Sequence, residues 1–156
     1  MIDIEVPGRA HYRLGYLLLD VNGTLALDGR LIEGVEQRLT DLQPLIAVQL
    51  ITADSRGQQQ AIDTRLGMQA VRIAARDEAR QKAAFVRQLG RQGVCAIGNG
   101  ANDAQMLRDA AIGIAVVGEE GLAVEALTAA DIVAPHINAA LDLLLYPMRL
   151  AATLRR

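Results

Sequence analysis

The chain has 156 residues and a formal charge of −2, so it fits one domain, residues 1–156, that can bury most of its apolar surface. Hydrophobic residues make up 51% of it, but one residue is Phe, three are Tyr and none is Trp, so the core must be aliphatic. The charge gives no electrostatic signature of a nucleic-acid partner. No apolar run approaches the roughly 18 residues of a membrane span, and the first residues do not resemble a signal peptide. We therefore expect a cytoplasmic protein with neither a nucleic acid nor a membrane as its partner.

The first third of the chain alternates apolar runs with turn residues. The predicted elements are, in order, a strand at 2–6, a strand at 15–20, a hairpin at 25–32 and a helix at 34–42. Pro7-Gly8 ends the first strand, and Asp28-Gly29 between apolar flanks indicates the hairpin. The unbroken apolar run before Asp20 is typical of a strand that is buried on both faces.

The rest of the chain repeats strands and helices. The predicted elements are a strand ending at Thr52, a helix at 57–66, a strand at 70–74, a helix at 77–89, a strand at 94–97, a helix at 102–110, a strand at 112–117, a helix at 121–129, a strand at 131–134 and a helix from Asn138. Gly67 and Gly90 stand where helices end, and Pro147 interrupts the last helix. This alternation predicts an α/β fold, a three-layer Rossmann-like parallel sheet with helices on both faces.

Polar residues follow three of the predicted strands, at the edge where open parallel sheets place their ligands. Asp20 and Thr52 end two strands, and the Gly-rich run at 98–107 (GNGANDAQML) follows a third. Lys82 lies on the helix that leads into that third strand. A carboxylate, a hydroxyl, an ammonium and a Gly-rich turn together predict a phosphate site, because they suit the charge of a transferred phosphoryl group. Asp103 together with Asp20 would attract magnesium, which prefers carboxylates and water.

Four motifs resemble, in content and order, those of the haloacid-dehalogenase (HAD) superfamily. They are DVNGTL at 20–25, ITADS at 51–55, Lys82 and GNGAND at 98–103, and the resemblance spans about residues 16–135. The GNGAND turn is most similar to the GDGxND of P-type ATPases and phosphoserine phosphatases. The subgroup that it resembles most is the small, soluble, P-type-ATPase-like HAD hydrolases. The resemblance implies a HAD-like fold and a hydrolase, with no ion pumping because no membrane segment accompanies the motifs.

The resemblance also implies a role for each matching residue. The implied catalytic residues are Asp20, Asn22, Thr52 and Lys82; the implied phosphate-binding residues are Asn22, Gly23, Thr52, Ala53 and Lys82; and the implied magnesium ligands are Asp20, Asn22, Asn99 and Asp103. Asp20 would be the nucleophile that forms an aspartyl-phosphate, and the Asn22 ligand would be its main-chain carbonyl. Lys82 would bridge the phosphoryl group to Asp20.

Two departures from the family pattern remove a carboxylate each. The family's phosphatases carry Asp two positions after the nucleophile, as general acid and base, and Asn22 stands there. General acid–base catalysis is worth about 10²–10⁴-fold, so Asn22 favours slow turnover and substrates with good leaving groups. Asn99 replaces the metal-binding Asp of the GDGxND motif, which predicts weakened metal affinity.

Several of these residues have a structural alternative. Thr52 is also suited to capping the next turn, and Lys82 lies on a charged helix where a solvated lysine is common. Asn102 suits a helix cap as well as a site. Asp54 fits local turn chemistry, although it is also a candidate to offset the lost metal charge. Arg56 is a candidate for substrate contact at the mouth of the crevice.

Three further residues are expected to be structural. His11 and His136 have no partner at the spacing of metal ligands, and Cys95 lies within an apolar run that favours a buried thiol.

The spacing of the motifs leaves no room for a cap domain, so we expect an open crevice flanked by the 25–32 hairpin. The predicted function is a magnesium-dependent phosphohydrolase that acts through Asp20 on a small phosphorylated substrate. A catalytically impaired relative that binds phosphate and regulates a partner is the alternative. The apolar carboxyl-terminal stretch is either an oligomer surface, which would make a homo-oligomer, or a layer packed on the chain's own sheet.

Overall fold

The computed structural model describes residues 1–54 and 57–156. The strands, in chain order, are β1 (Ile2–Val6), β2 (Ala10–Leu14), β3 (Tyr16–Asp20), β4 (Ala26–Leu27), β5 (Arg30–Leu31), β6 (Ala47–Thr52), β7 (Val71–Arg72), β8 (Val94–Gly98), β9 (Ile112–Val116) and β10 (Ile132–Ala134). The helices are α1 (Val35–Leu42), α2 (Gln59–Leu66), α3 (Glu78–Leu89), α4 (Ala104–Asp109), α5 (Val124–Ala129), α6 (Ile137–Leu145) and α7 (Pro147–Leu154).

Six strands form one parallel sheet in the order β10-β9-β8-β3-β6-β7. Strand β3 lies in its interior, where Asp20 pairs in register with Ile51 of β6 and Leu19 with Ile97 of β8. The carboxyl ends of these three strands therefore meet at one edge of the sheet. The predicted fold class is confirmed, because helices cover both faces of this parallel sheet.

Alternate residues of the buried strands pack on opposite faces, as strand geometry requires. Leu17 and Leu19 belong to the core beneath α1, α6 and α7, whereas Leu18 belongs to a smaller core beneath α3 and α4. All three side chains are fully buried. An aliphatic strand that is buried on both faces is what the unbroken apolar run predicts.

The amino-terminal segment differs from its prediction. Residues 10–14 form β2, which pairs antiparallel with β1, so Pro7-Gly8 turns a hairpin where only a strand end was predicted. The turn needs a positive φ, and Gly8 supplies one of 74°. Only Leu14 of β2 is buried, so this strand carried no apolar signal.

The connections between the sheet strands are short. Between β3 and β6 lie the β4–β5 hairpin and α1, and the described residues between β6 and β8 form α2, β7 and α3. Neither connection holds an inserted domain within the described residues. None of the described helices combines the length and the apolar character needed to cross a membrane.

The carboxyl-terminal residues pack on the sheet, which is one of the two predicted alternatives. Leu141 and Leu144 of α6 and Leu150 of α7 join the larger core. Pro147 begins α7 at a position where proline is favoured, so it divides the predicted helix in two. His136 caps α6, because its Nδ1 accepts a hydrogen bond from the amide of Ala139 at 3.1 Å.

Candidate active site

A cleft of about 630 Å³ opens at the carboxyl edge of the sheet. Asp20 from the end of β3, Asn99 from the turn after β8 and Lys82 from α3 line it, together with Asn22 and Ala53. The parallel pairing of β3 with β6 and β8 brings these distant residues together. The cleft lies where topology places ligand sites in open α/β sheets.

Lys82 joins two carboxylates at the floor of this cleft. Its Nζ lies 2.7 Å from Oδ1 of Asp20 and 2.8 Å from Oδ1 of Asp103. The Lys82 side chain is only 2% exposed and that of Asp103 is fully buried. A solvated lysine is thereby excluded, since the only lysine of the chain is enclosed between two acids.

Burial and charge act on the ionisation of this cluster. Burial is the largest cause that raises the pKa of Asp20, repulsion by Asp103 adds to it, and Lys82 and Thr24 oppose it. Burial alone would lower the pKa of Lys82, but the attraction of both carboxylates outweighs it and raises that pKa above its ordinary value. Two carboxylates share one ammonium, so the site favours an additional positive charge.

Both oxygens of Asp103 are already hydrogen-bonded. Oδ1 accepts from Lys82, and Oδ2 accepts from the amides of Asn99 and Gly100, each at 3.0 Å. These bonds hold Lys82 and the Gly-rich turn in place. The role of Asp103 as a magnesium ligand stays a prediction, since Oδ1 keeps a second lone pair beside its bond to Lys82.

Both polar atoms of the Asn99 side-chain amide are hydrogen-bonded. Its Oδ1 lies 3.1 Å from the hydroxyl of Thr24, which lies 3.1 Å from Oδ2 of Asp20 as well. Its Nδ2 donates a long hydrogen bond of 3.4 Å to the carbonyl of Gly121. Thr24 is a residue that sequence reasoning did not single out, although it lies within the DVNGTL motif.

Thr52 caps the next turn, which is one of its two predicted roles, and its contact with phosphate stays a prediction. Its hydroxyl accepts a hydrogen bond from the amide of Asp54 at 3.1 Å, which is the turn cap, and Nδ2 of Asn22 donates to it at 3.3 Å. Because both of these hydrogen bonds are accepted by the hydroxyl oxygen, the hydroxyl hydrogen of Thr52 can be donated to a further acceptor. Asp54 caps the following helix, because its Oδ2 accepts from the amide of Gln59 at 2.7 Å.

The remaining predicted phosphate contacts differ from each other. The amide of Gly23 donates to the carbonyl of Ala26 at 2.8 Å, so it is committed to the turn. Ala53 lines the cleft. Arg56, the candidate for substrate contact, lies outside the described residues.

Three cleft residues were missed or left undecided by sequence reasoning. Glu120 lies in the turn after β9, and Glu78 begins α3. Asn102 lines the cleft, and its Nδ2 donates to Oε2 of Glu78 at 2.5 Å. The signal that would have found Glu120 is its position after the carboxyl end of a sheet strand.

Several residues that line the cleft carry oxygen atoms. They include the carboxylates of Asp20 and Glu120, together with Asn22. Oxygen donors with surplus negative charge suit a hard divalent cation such as magnesium. The residues present therefore fit the metal that the sequence motifs imply.

No family model matches this chain. Among curated proteins, uncharacterized protein MJ0073 of Methanocaldococcus jannaschii is 50% identical over 62 residues, which are 40% of this chain and 67% of that protein. Uncharacterized protein MJ0072 of the same organism is 46% identical over 39 residues, 25% of this chain and 89% of its own length.

Solved structures share the fold over most of their length. A HAD superfamily (subfamily III A) hydrolase candidate from Legionella pneumophila has a TM-score of 0.72 and 18% identity, covering 90% of this chain and 87% of its own. The 3-deoxy-D-manno-octulosonate 8-phosphate phosphatase of Moraxella catarrhalis, in complex with magnesium, phosphate and its sugar, has a TM-score of 0.64, 20% identity and coverages of 89% and 92%. The cobalt-bound form of the deoxy-D-mannose-octulosonate 8-phosphate phosphatase from Haemophilus influenzae has a TM-score of 0.68 and 15% identity, covering 90% of this chain and 90% of its own.

A zinc-transporting PIB-type ATPase matches at a TM-score of 0.60 with 26% identity, over 79% of this chain but 20% of its own. The chain thus belongs to the same family as MJ0073, and its fold is that of the HAD superfamily hydrolases.

Proposed function

We propose that this chain is a magnesium-dependent phosphohydrolase that acts through a covalent aspartyl-phosphate on Asp20. The observation that carries the proposal is the buried contact of Lys82 with both Asp20 and Asp103 at the floor of the cleft. A nucleophilic carboxylate held by a buried ammonium suits attack on a phosphoryl group, since the ammonium offsets the charge that accumulates there.

The first chemical step transfers the phosphoryl group to Asp20. A carboxylate oxygen of Asp20 forms a bond to phosphorus while the bond to the leaving oxygen breaks. Lys82 stays within hydrogen-bond distance of Asp20 throughout, and the Thr52 hydroxyl donates to a phosphoryl oxygen. Water then attacks the phosphorus of the aspartyl-phosphate, which releases inorganic phosphate and restores the Asp20 carboxylate.

Asn22 determines how fast these steps run. Its side chain donates to Thr52 and has no proton to exchange at neutral pH, so the leaving oxygen departs without a general acid. Substrates with weakly basic leaving groups, such as acyl and aryl phosphates, depend on this help least. Turnover of alkyl phosphates should therefore be slow, and an aspartyl-phosphate should be long-lived, as the resemblance to P-type ATPases implies. Ion pumping is no part of this function.

Magnesium would be held by Asp20, the carbonyl of Asn22 and further cleft oxygens. When bound, it supplies positive charge that neutralises the phosphoryl oxygens. Solved neighbours of the same fold contain magnesium or cobalt. The substrate would be a small phosphorylated compound that enters from the open side of the cleft, because no cap is inserted in the described connections.

A second candidate function is phosphate binding without turnover. Asn22 and Asn99 favour it, since each stands where the family carries a working carboxylate. Retention of Asp20, Lys82 and Thr52 together favours the enzyme, because a binding protein has no need of a nucleophile.

Hydrolysis of acetyl phosphate and of an aryl phosphate tests the proposal. The wild type should release phosphate with magnesium and stop when a chelator is added, and Asp20→Asn should abolish the release. Asn22→Asp should accelerate hydrolysis of an alkyl phosphate by about 10²-fold or more, because it restores a general acid.

The comparison with Asp20→Asn distinguishes the two candidates. Equal phosphate release by wild type and Asp20→Asn on both substrates would contradict the enzyme. Saturable binding of inorganic phosphate without any turnover would then assign the chain to the binding class.

A further inference from the structure

We propose that Glu120 takes the place of the carboxylate that is missing at position 99 and is a ligand of the bound divalent cation. The inference rests on the proposed magnesium-dependent function and deepens it. It starts from the orientation of Asn99, whose amide oxygen faces Thr24 and whose Nδ2 faces the turn that carries Glu120. Asn99 lines the cleft, but it brings an amide and no carboxylate, and its Oδ1 already accepts from the Thr24 hydroxyl.

Three hydrogen bonds fix the position of the turn after β9. The amide of Gly121 donates to the carbonyl of Gly118 at 2.8 Å, which closes the turn. The carbonyl of Gly121 accepts from Nδ2 of Asn99, and the amide of Ala123 donates to the carbonyl of Asn99 at 3.0 Å. The position of Glu120 is thus tied to the Gly-rich turn after β8.

The side chain of Glu120 reaches the turn after Asp20. A Cβ added to Gly23 would lie 2.2 Å from Oε2 of Glu120 and 3.1 Å from Nδ2 of Asn99. The glutamate carboxylate therefore occupies the space that a side chain at position 23 would fill. Gly23 also has a φ of 77°, so glycine serves both the turn and this close approach.

The carboxylate of Glu120 is available to a cation. Within residues 1–54 and 57–156, it forms neither a hydrogen bond nor an ion pair with protein. It lines the main cleft and also the adjoining cavity of about 270 Å³ beneath the β4–β5 hairpin. Glu120, Asp20 and Asn22 line the same cleft, and their oxygen atoms are of the kind that magnesium prefers.

Cation affinity in the absence of substrate tests this assignment. Free Mn²⁺ would be followed by electron paramagnetic resonance, with Mg²⁺ as competitor, for the wild type, Glu120→Gln and Glu119→Gln. Glu120→Gln should lower the affinity for both ions by about 10- to 100-fold or more, because even residues that only support a metal ligand contribute that much. Glu119→Gln is the matched control, since Glu119 is the exposed neighbour on the same turn, and its affinity should equal that of the wild type.

A variant that moves the carboxylate from position 120 to position 99 distinguishes coordination of the cation from a general effect of negative charge. Asn99→Asp/Glu120→Gln should recover most of the affinity that Glu120→Gln loses. The inference is overturned if Glu120→Gln binds as tightly as the wild type, if Glu119→Gln weakens binding equally, or if the wild type binds neither ion. The cation-binding assay contains no substrate, so the two proposals can fail separately. If the wild type releases no phosphate but its cation affinity still depends on Glu120, only the proposed function is overturned.

Discussion

Lys82 is the residue on which the charge balance of the site depends. It stands between Asp20 and Asp103 at 2.7 and 2.8 Å and is almost completely buried. Removing one partner of a buried ion cluster destabilises a protein by more than the intact cluster stabilises it, because the remaining charges stay buried without an opposite charge. Lys82 therefore affects folding as well as chemistry.

Lys82→Met should lower the free energy of unfolding by about 3–5 kcal/mol, because two buried carboxylates would face each other without a cation. Urea unfolding at neutral pH, followed by circular dichroism, measures this loss. Lys82→Met/Asp103→Asn should recover part of it, since one of the two charges is then removed. Equal stabilities for the single and the double variant would show that charge is not the cause.

The residues of the site were predictable from their motifs to different degrees. Asp20 and the 98–103 turn meet at the cleft, as their positions at the ends of strands predicted. Lys82 reaches the cleft from α3, and Thr52 at the end of β6 contacts Asn22. The orientations of Asn99 and Asp103 were not predictable, because a motif gives residue types and not which oxygen a neighbour occupies. Glu120 belongs to none of the motifs. Its position after the carboxyl end of β9 is a sequence signal, but its packing against Gly23 is visible only in the structure.

At the scale of elements, α2 is joined to β7 by a polar cluster below the sheet edge. Oδ1 of Asp63 accepts from Nε2 of Gln59 at 2.8 Å and from the amide of Ala70 at 3.1 Å. Oδ2 accepts from Nη2 of Arg72 at 2.8 Å. Burial opposes ionisation of Asp63, but hydrogen bonds from Gln59, Arg72 and Ala70 outweigh it and lower its pKa.

Asp63→Asn should destabilise the fold by about 1–3 kcal/mol at neutral pH, because a hydrogen-bonded buried charge is lost. A lowered pKa in the folded state stabilises the protein above the pKa of the unfolded chain, and that stabilisation is lost as the pH falls through the folded value. Urea unfolding of both proteins across the acidic range should therefore show their difference shrinking toward low pH. Asp41→Asn, an exposed carboxylate on α1, is the control and should stay within about 0.5 kcal/mol of the wild type throughout.

Elements with a strong apolar period were predictable, and β2 was not. The run before Asp20, the glycines that end α2 and α3 and the proline that begins α7 all carried a local signal. Strand β2 instead exposes most of its side chains, and it is held by pairing with β1 across a turn at Gly8. Such a strand depends on its partner, which a single segment of sequence does not specify.

At the scale of the whole molecule, stability should decrease from the interior of the sheet toward the hairpin and the edge. Strand β3 pairs on both sides and is covered by helices on both faces. In contrast, β7 is an edge strand of two residues, and β4 and β5 form a hairpin whose strands have two residues each. Segments with few buried contacts open at lower free energy than central strands.

Amide hydrogen exchange should follow this order. Amides of β3 and β8 should exchange slowest, near the global free energy of unfolding, and those of β4, β5 and β7 fastest among the strands. Exchange read by nuclear magnetic resonance or mass spectrometry measures it. Protection of β7 equal to that of β3 would contradict a sheet whose stability is centred on β3.

The enclosure of the chain's only lysine has a practical consequence for chemical labelling. Lys82 is the only lysine of the sequence, and its ε-amine is enclosed between two acids. An acylating reagent applied to the folded protein therefore modifies the exposed amino-terminal amine first. A second acyl group, assigned to Lys82 by peptide mapping, then records an opening of the structure around Lys82, so mass spectrometry measures the rate of that event without any engineered probe.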